Sequence, residues 1–166
     1  MRMIRDAAIA YADAFPNNEK RDLLYFGPAG VGKTFLLNCI GGRVLEHGYS
    51  VLKISAHKLI RLTLENLRSA PEDKPDFAFP DLLIIDDLGT EPMIPNITIE
   101  TLLSLLCERQ DSGKATLFAT NLEIVSDGSG AATIQSAYGE RFASRLMSPR
   151  CVKLQAVRTD NARLSE

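Results

Sequence analysis

Leu23-Leu24-Tyr25-Phe26 runs directly into Gly27-Pro28-Ala29-Gly30-Val31-Gly32-Lys33-Thr34 and then into Phe35-Leu36-Leu37. The first four residues are apolar throughout, as in a strand buried on both faces. The next eight match the phosphate-loop pattern G-x-x-x-x-G-K-[ST] at every fixed position. The apolar run that follows opens a helix. Phosphate oxygens require many donors at short range. Glycines let backbone N–H groups converge on them, and the helix N-terminus adds its positive dipole end. Residues 27–35, that is Gly27, Pro28, Ala29, Gly30, Val31, Gly32, Lys33, Thr34 and Phe35, are therefore read as a cradle for nucleotide phosphates. Lys33 would reach the β- and γ-phosphates, and the Thr34 hydroxyl would complete a Mg²⁺ coordination sphere. A glycine-rich turn that binds nothing is the bland alternative. The strand-loop-helix context weighs against it.

Further along, Leu82-Leu83-Ile84-Ile85 closes on Asp86-Asp87. Such a run reads as a buried parallel strand with acids at its carboxyl end, where open α/β sheets bind ligands. Asp86 is the acid expected on the Mg²⁺ side and Asp87 the one expected to face an attacking water, because phosphoryl transfer is mostly positioning and electrostatics. By residue type alone the pair could be a turn after a strand; the phosphate loop upstream decides for chemistry. Asn121 follows the apolar run 115–119 and either holds the attacking water or a γ-oxygen, or forms a turn.

The 166 residues, 45% hydrophobic and 24% charged, suit one globular domain rather than a disordered or fibrous chain. A formal net charge of −2 supplies no global basic field, so nucleic-acid contact would need a local patch. Cys39, Cys107 and Cys151 are scattered and odd in number, and read as buried and reduced in a cytoplasmic protein. No run has the length of a membrane span. Helices are expected over 3–15, from the phosphate loop to about 47, from Ser55 as N-cap to about 68, over 98–110 and over about 132–147. The third of these should turn Leu59, Ile60, Thr63, Leu64 and Leu67 inward. Strands are expected at 23–26, 51–54, 82–87, 115–119 and 151–156. Gly41-Gly42 weaken the second helix, and close packing on the sheet is the expected reason. Residues 69–80 read as a surface loop and 126–130 as the most flexible one. Strands alternating with helices give an α/β fold, a parallel sheet with helices on both faces.

In order along the chain stand G-P-A-G-V-G-K-T, then L-L-I-I-D-D-L-G at 82–89, F-A-T-N at 118–121, Y-G-E-R-F-A-S-R-L-M at 138–147 and T-D-N-A-R at 159–163. This set resembles the ATPase domain of bacterial replicative helicase loaders of the DnaC/DnaI type, within the AAA+ ATPases. The related transposition-accessory ATPases of the IstB type share most of it. The resemblance covers nearly the whole chain and implies a P-loop NTPase three-layer sandwich with a five-stranded parallel sheet and little or no C-terminal lid. It implies that ATP or ADP is bound with Mg²⁺ through Lys33, Thr34 and Asp86. Asp87 then stands at the catalytic acid, where many AAA+ proteins carry Glu. Asn121 matches the first sensor, Arg145 the arginine finger, Arg141 its neighbour and Arg163 a second sensor. Loaders also carry an N-terminal helicase-binding domain. Residues 1–166 are thus expected to be one AAA+ domain, with a leading helix at 1–15, belonging to a longer protein.

The activity the resemblance implies is ATP hydrolysis, slow and stimulated by assembly or DNA, coupled to loading a DnaB-type replicative helicase onto single-stranded DNA. Self-assembly into a ring or spiral goes with it, and a membrane partner does not. In that family the helix after the second strand lines a channel for single-stranded DNA. Here His57, Lys58, Arg61 and Arg68 could supply phosphate contacts, but Glu65 interrupts them and no exposed aromatic offers stacking, so a solvated face is the preferred reading. The rivals are a transposase partner with the same core, a small-molecule kinase, and a non-hydrolysing nucleotide-dependent scaffold. A kinase would need an acceptor pocket and an arginine-bearing lid, neither of which is found in the sequence.

Overall fold

In the computed structural model, which describes residues 2–125 and 130–156, five strands form a parallel sheet. They are β1 (Asp22–Phe26), β2 (Val51–Ser55), β3 (Leu82–Leu88), β4 (Ala115–Thr120) and β5 (Cys151–Gln155), in the order β2-β3-β4-β1-β5. The central strands β3, β4 and β1 are almost wholly buried, as a sheet covered on both faces requires. Alternate residues divide between two cores. Leu23, Tyr25, Leu82, Ile84 and Leu117 pack with α1 (Arg2–Ala14) and α2 (Lys33–Glu46). Leu24, Phe26, Leu83, Ile85 and Phe118 pack with α3 (Ala56–Glu65), α4 (Thr98–Asp111) and α5 (Ile134–Leu146). The expected three-layer sandwich is the observed one. None of the described helices is long and apolar enough to cross a membrane.

Several local expectations are corrected. Helix α3 stops at Glu65 because Asn66 takes the C-cap, its side-chain amide donating to the Leu62 carbonyl at 2.8 Å; Leu67 then lies exposed instead of facing inward. Helix α5 opens on a capping box at Thr133 and breaks at Gly139, whose φ of 81° no helical residue shares. Cys39 is exposed and Cys107 half-buried, so Cys151 alone fits the expectation of burial, which pushes its thiol up to about 12. Of the loop expected at 126–130, residues 126–129 lie outside the described residues.

Residues 69–80 lie largely at the surface as expected, but the end of the segment, just before β3, is firmly held. Arg109, on α4 and fully buried, donates to the carbonyls of Ala78 (3.0 Å) and Pro80 (2.8 Å), to that of Ala115 (2.5 Å) and to the Thr116 hydroxyl (3.0 Å). Burial pushes its guanidinium down to about 10, against the pull of Asp22 and Asp81. The cation thereby satisfies carbonyls of an irregular segment that the sheet ladder leaves unpaired.

The paired glycines of α2 have different causes. A Cβ at Gly41 would stand 2.9 Å from Ile84 Cδ1, so this glycine does lie against the sheet. A Cβ at Gly42 would meet nothing within 4 Å, and close packing does not explain it. Gly42→Ala should therefore stabilise the protein by up to about 1 kcal/mol through helix propensity. Gly41→Ala should gain less or lose, because Ile84 must move. Urea unfolding of the two variants checks the ranking.

Candidate functional site

The strand order puts β1 between β4 and β5, with β3 next to β4, so the residues after β1, β3 and β4 meet at one edge of the sheet. The loop after β1 lies over this edge. Gly27 opens it with φ 131°, and a Cβ there would fall 2.6 Å from the Ala156 carbonyl oxygen. Only glycine passes so close to the end of β5. An open cleft of about 510 Å³ follows, lined by Gly30, Lys33, Thr34, Phe35, Asp87 and Asn121 among others.

Lys33 begins α2 and is buried. Its ammonium donates to the carbonyls of Gly27 (2.8 Å) and Pro28 (2.7 Å) and to Asn121 Oδ1 (2.7 Å). Burial holds it below the ordinary lysine range, while the carboxylates of Asp87 and Asp86 pull it back up. Thr34 donates its hydroxyl to Asp86 Oδ1 at 3.2 Å. Asp86 is buried at the end of β3, whereas Asp87 is exposed with φ 55° and lies where the β3–β4 register shifts between Ile85 and Leu88. That bulge separates the two acids, one under the loop and one in the cleft. Phe35 is 72% exposed, a large apolar ring left in solvent at the cleft wall.

Arg141 and Arg145 are both exposed on α5 beyond the break at Gly139, and neither lines the cleft. The structure thus brings together Lys33, Thr34, Asp86, Asp87 and Asn121 but not the two arginines. Arg163 lies outside the described residues. On α3, His57, Lys58 and Arg61 are exposed, and Arg61 pairs with Glu65 at 3.6 Å.

Two features escaped the sequence reading. Lys53 on β2 places its ammonium 3.0 Å from Asp86 Oδ2 and 2.7 Å from Asn38 Oδ1. A charge inside the apolar run V-L-K-I was the available signal, but β2–β3 register, not sequence, sets Lys53 opposite Ile84, two residues from Asp86 on the same face. Glu91, buried, accepts from Gly89 N at 2.9 Å and from the Tyr138 hydroxyl, tying the loop after Asp87 to α5. Burial and the Glu91 contact raise the Tyr138 phenol above its ordinary range.

A family model described as IstB-like ATP binding protein matches residues 7–142. The replicative helicase loader DnaC of Buchnera aphidicola is 28% identical over 158 residues, 87% of this chain and 57% of that protein. An ATP-binding protein assigned to insertion sequence IS5376 of Geobacillus stearothermophilus is 34% identical over 84 residues, 48% of this chain and 32% of its own length. The chain thus spans less than two thirds of either relative. The crystal structure of the DnaC helicase loader matches with a TM-score of 0.76 at 19% identity, covering 91% of this chain and 86% of that one, a likeness of fold.

Lys33→Ala should weaken ATP and ADP binding roughly ten- to a hundredfold, the worth of about 1.5–3 kcal/mol for hydrogen bonds from a charged donor. Calorimetry measures this. Unchanged affinity in a folded variant would remove the phosphate loop from the site.

Proposed function

The chain belongs to the IstB-like ATP-binding protein family, and from that premise we propose that it is the AAA+ ATPase unit of a helicase loader. It hydrolyses ATP to ADP and phosphate and so controls a grip on single-stranded DNA and on a DnaB-type hexameric helicase. The observation that carries the ATPase reading is the convergence of Lys33, Thr34, Asp86, Asp87 and Asn121, from three strand ends, on one open edge of the sheet. The loader reading is favoured over a transposition role by extent of similarity, 87% of the chain for DnaC against 69% and 48% for two insertion-sequence relatives, although those two are the more identical over what they match. The family model bears the transposition name and favours the second reading, an accessory ATPase of a transposase. The partner that co-purifies with the full-length protein from its own host separates the two.

Each residue has a task that its place permits. The Lys33 ammonium exchanges Asn121 and two loop carbonyls for phosphate oxygens, which carry more charge. Thr34 and Asp86 offer hard oxygens 3.2 Å apart, a donor set that would hold Mg²⁺. Bound there, the ion would offset charge on the β- and γ-oxygens. Asp87, exposed in the cleft, orients the attacking water, and Asn121, once released by Lys33, holds that water or a γ-oxygen. Arg163, outside the described residues, is assigned as a second sensor on the resemblance of T-D-N-A-R alone, and with Arg61 paired to Glu65 the exposed face of α3 is read as solvated. A cytoplasmic setting goes with these partners.

Asp87→Asn should leave Mg²⁺-ATP bound while turnover falls, because the metal is assigned to Asp86. Loss of binding in Asp87→Asn with retention in Asp86→Asn would reverse the two roles. Paired binding and phosphate-release assays read both.

Arg145 acts on the neighbouring subunit's nucleotide. Its exposure on α5, away from its own cleft, supports this, and such fingers are worth about 10³ to 10⁵ in turnover. Arg145→Ala should keep ATP affinity and lose assembly-stimulated hydrolysis. Mixing it with Lys33→Ala should restore activity at interfaces that pair an intact loop with an intact finger. No recovery at any ratio in assemblies that exchange subunits would make Arg145 structural or cis-acting.

A further inference from the structure

Both carboxylate oxygens of Asp86 have partners. Its Oδ1 accepts from the Thr34 hydroxyl at 3.2 Å and from the Asp87 backbone N–H at 3.1 Å, and its Oδ2 faces the Lys53 ammonium at 3.0 Å. The carboxylate is buried, whereas Lys53 is a third exposed and has a second acceptor, Asn38 Oδ1, at 2.7 Å. Asn38 lies one turn beyond Thr34 on α2 and lines the same cleft. A buried carboxylate without a cation is costly, and Lys53 supplies the direct ion pair to Asp86, to which Lys33 adds only a longer-range attraction. A divalent ion beside the same carboxylate competes with it, because two cations on one acid repel.

We propose that Lys53 is an exchangeable tethered cation of the metal subsite, holding Asp86 Oδ2 when no metal is bound and yielding it to Mg²⁺ while Asn38 keeps the ammonium close. The inference rests on Thr34 and Asp86 being that subsite. Metal capture is then a cation exchange on a carboxylate that is never left unpaired, and the lysine sets the metal affinity lower than the oxygens alone would give. An ion pair that only braces the edge strand β2 behaves differently: its removal lowers stability with and without metal and leaves metal affinity as it was.

The test is Mn²⁺ binding to the ADP-saturated protein, with free Mn²⁺ counted by electron paramagnetic resonance. Lys53→Met should bind Mn²⁺ about three- to tenfold more tightly than wild type, the range of a partly exposed ion pair removed. Lys53→Gln, which keeps a polar group for Asn38, should move the same way if Lys53→Met does not fold. Lys53→Arg should tighten it little. Metal-free melting should fall in Lys53→Met and recover more than wild type on adding Mn²⁺. Asp86→Asn separates the exchange from the subsite. If it weakens Mn²⁺ binding while the neutral Lys53 variants match wild type, the exchange is overturned and the subsite stands. If it leaves Mn²⁺ affinity unchanged, the subsite assignment falls and the exchange with it.

Discussion

A buried ammonium at the carboxyl edge of a sheet is the constraint around which this molecule is built. Lys33 is 7% exposed and cannot shed its charge into water, so the fold must bring oxygen to it. Two carbonyls come from its own loop, and the third oxygen comes from Asn121 at the end of β4. That third contact exists only because β4 pairs with β1, Phe26 opposite Thr120. The same adjacency, extended to β3, carries Asp86 to Thr34. Sheet order, apolar cores and site are thus one arrangement seen at three scales.

The opposite charges are managed as carefully. Asp86 and Asp87 are consecutive, and in a regular strand they would face opposite sides of the sheet. The bulge with Asp87 at positive φ changes that, leaving Asp86 buried under the loop and Asp87 exposed in the cleft. Backbone held in the left-handed region costs energy and persists where the surroundings impose it. Here Leu88, buried and back in register with Thr120, and the Glu91 carboxylate, bonded to Gly89 and Tyr138, fix the chain just beyond.

How much of this could be read beforehand follows from what carried each signal. The phosphate loop and the acid-ended strand are contiguous patterns, and five apolar runs between helical ones imply a parallel sheet; all of these stand in the structure. Lys53 was not legible, because a lysine in an edge strand has no meaning until register sets it opposite Ile84, two residues from Asp86. The role of Arg109 had no sequence signal, since its carbonyl partners lie about thirty positions away in a segment with no pattern of its own. The two glycines of α2 were given one cause, and only Gly41 has it, because sequence does not say which side of a helix meets Ile84.

The Lys33–Asn121 hydrogen bond joins residues 88 positions apart, and Thr34–Asp86 joins residues 52 apart. Parallel pairing of distant strands is slow, since loop-closure entropy is spent before the contacts form. On a chain emerging N-terminus first, the glycine loop leaves the ribosome long before the strand that completes its surroundings. The order of synthesis therefore keeps the cradle without its distant partners until β4 has joined the sheet, so that competence for ligand arrives together with the folded core and not ahead of it.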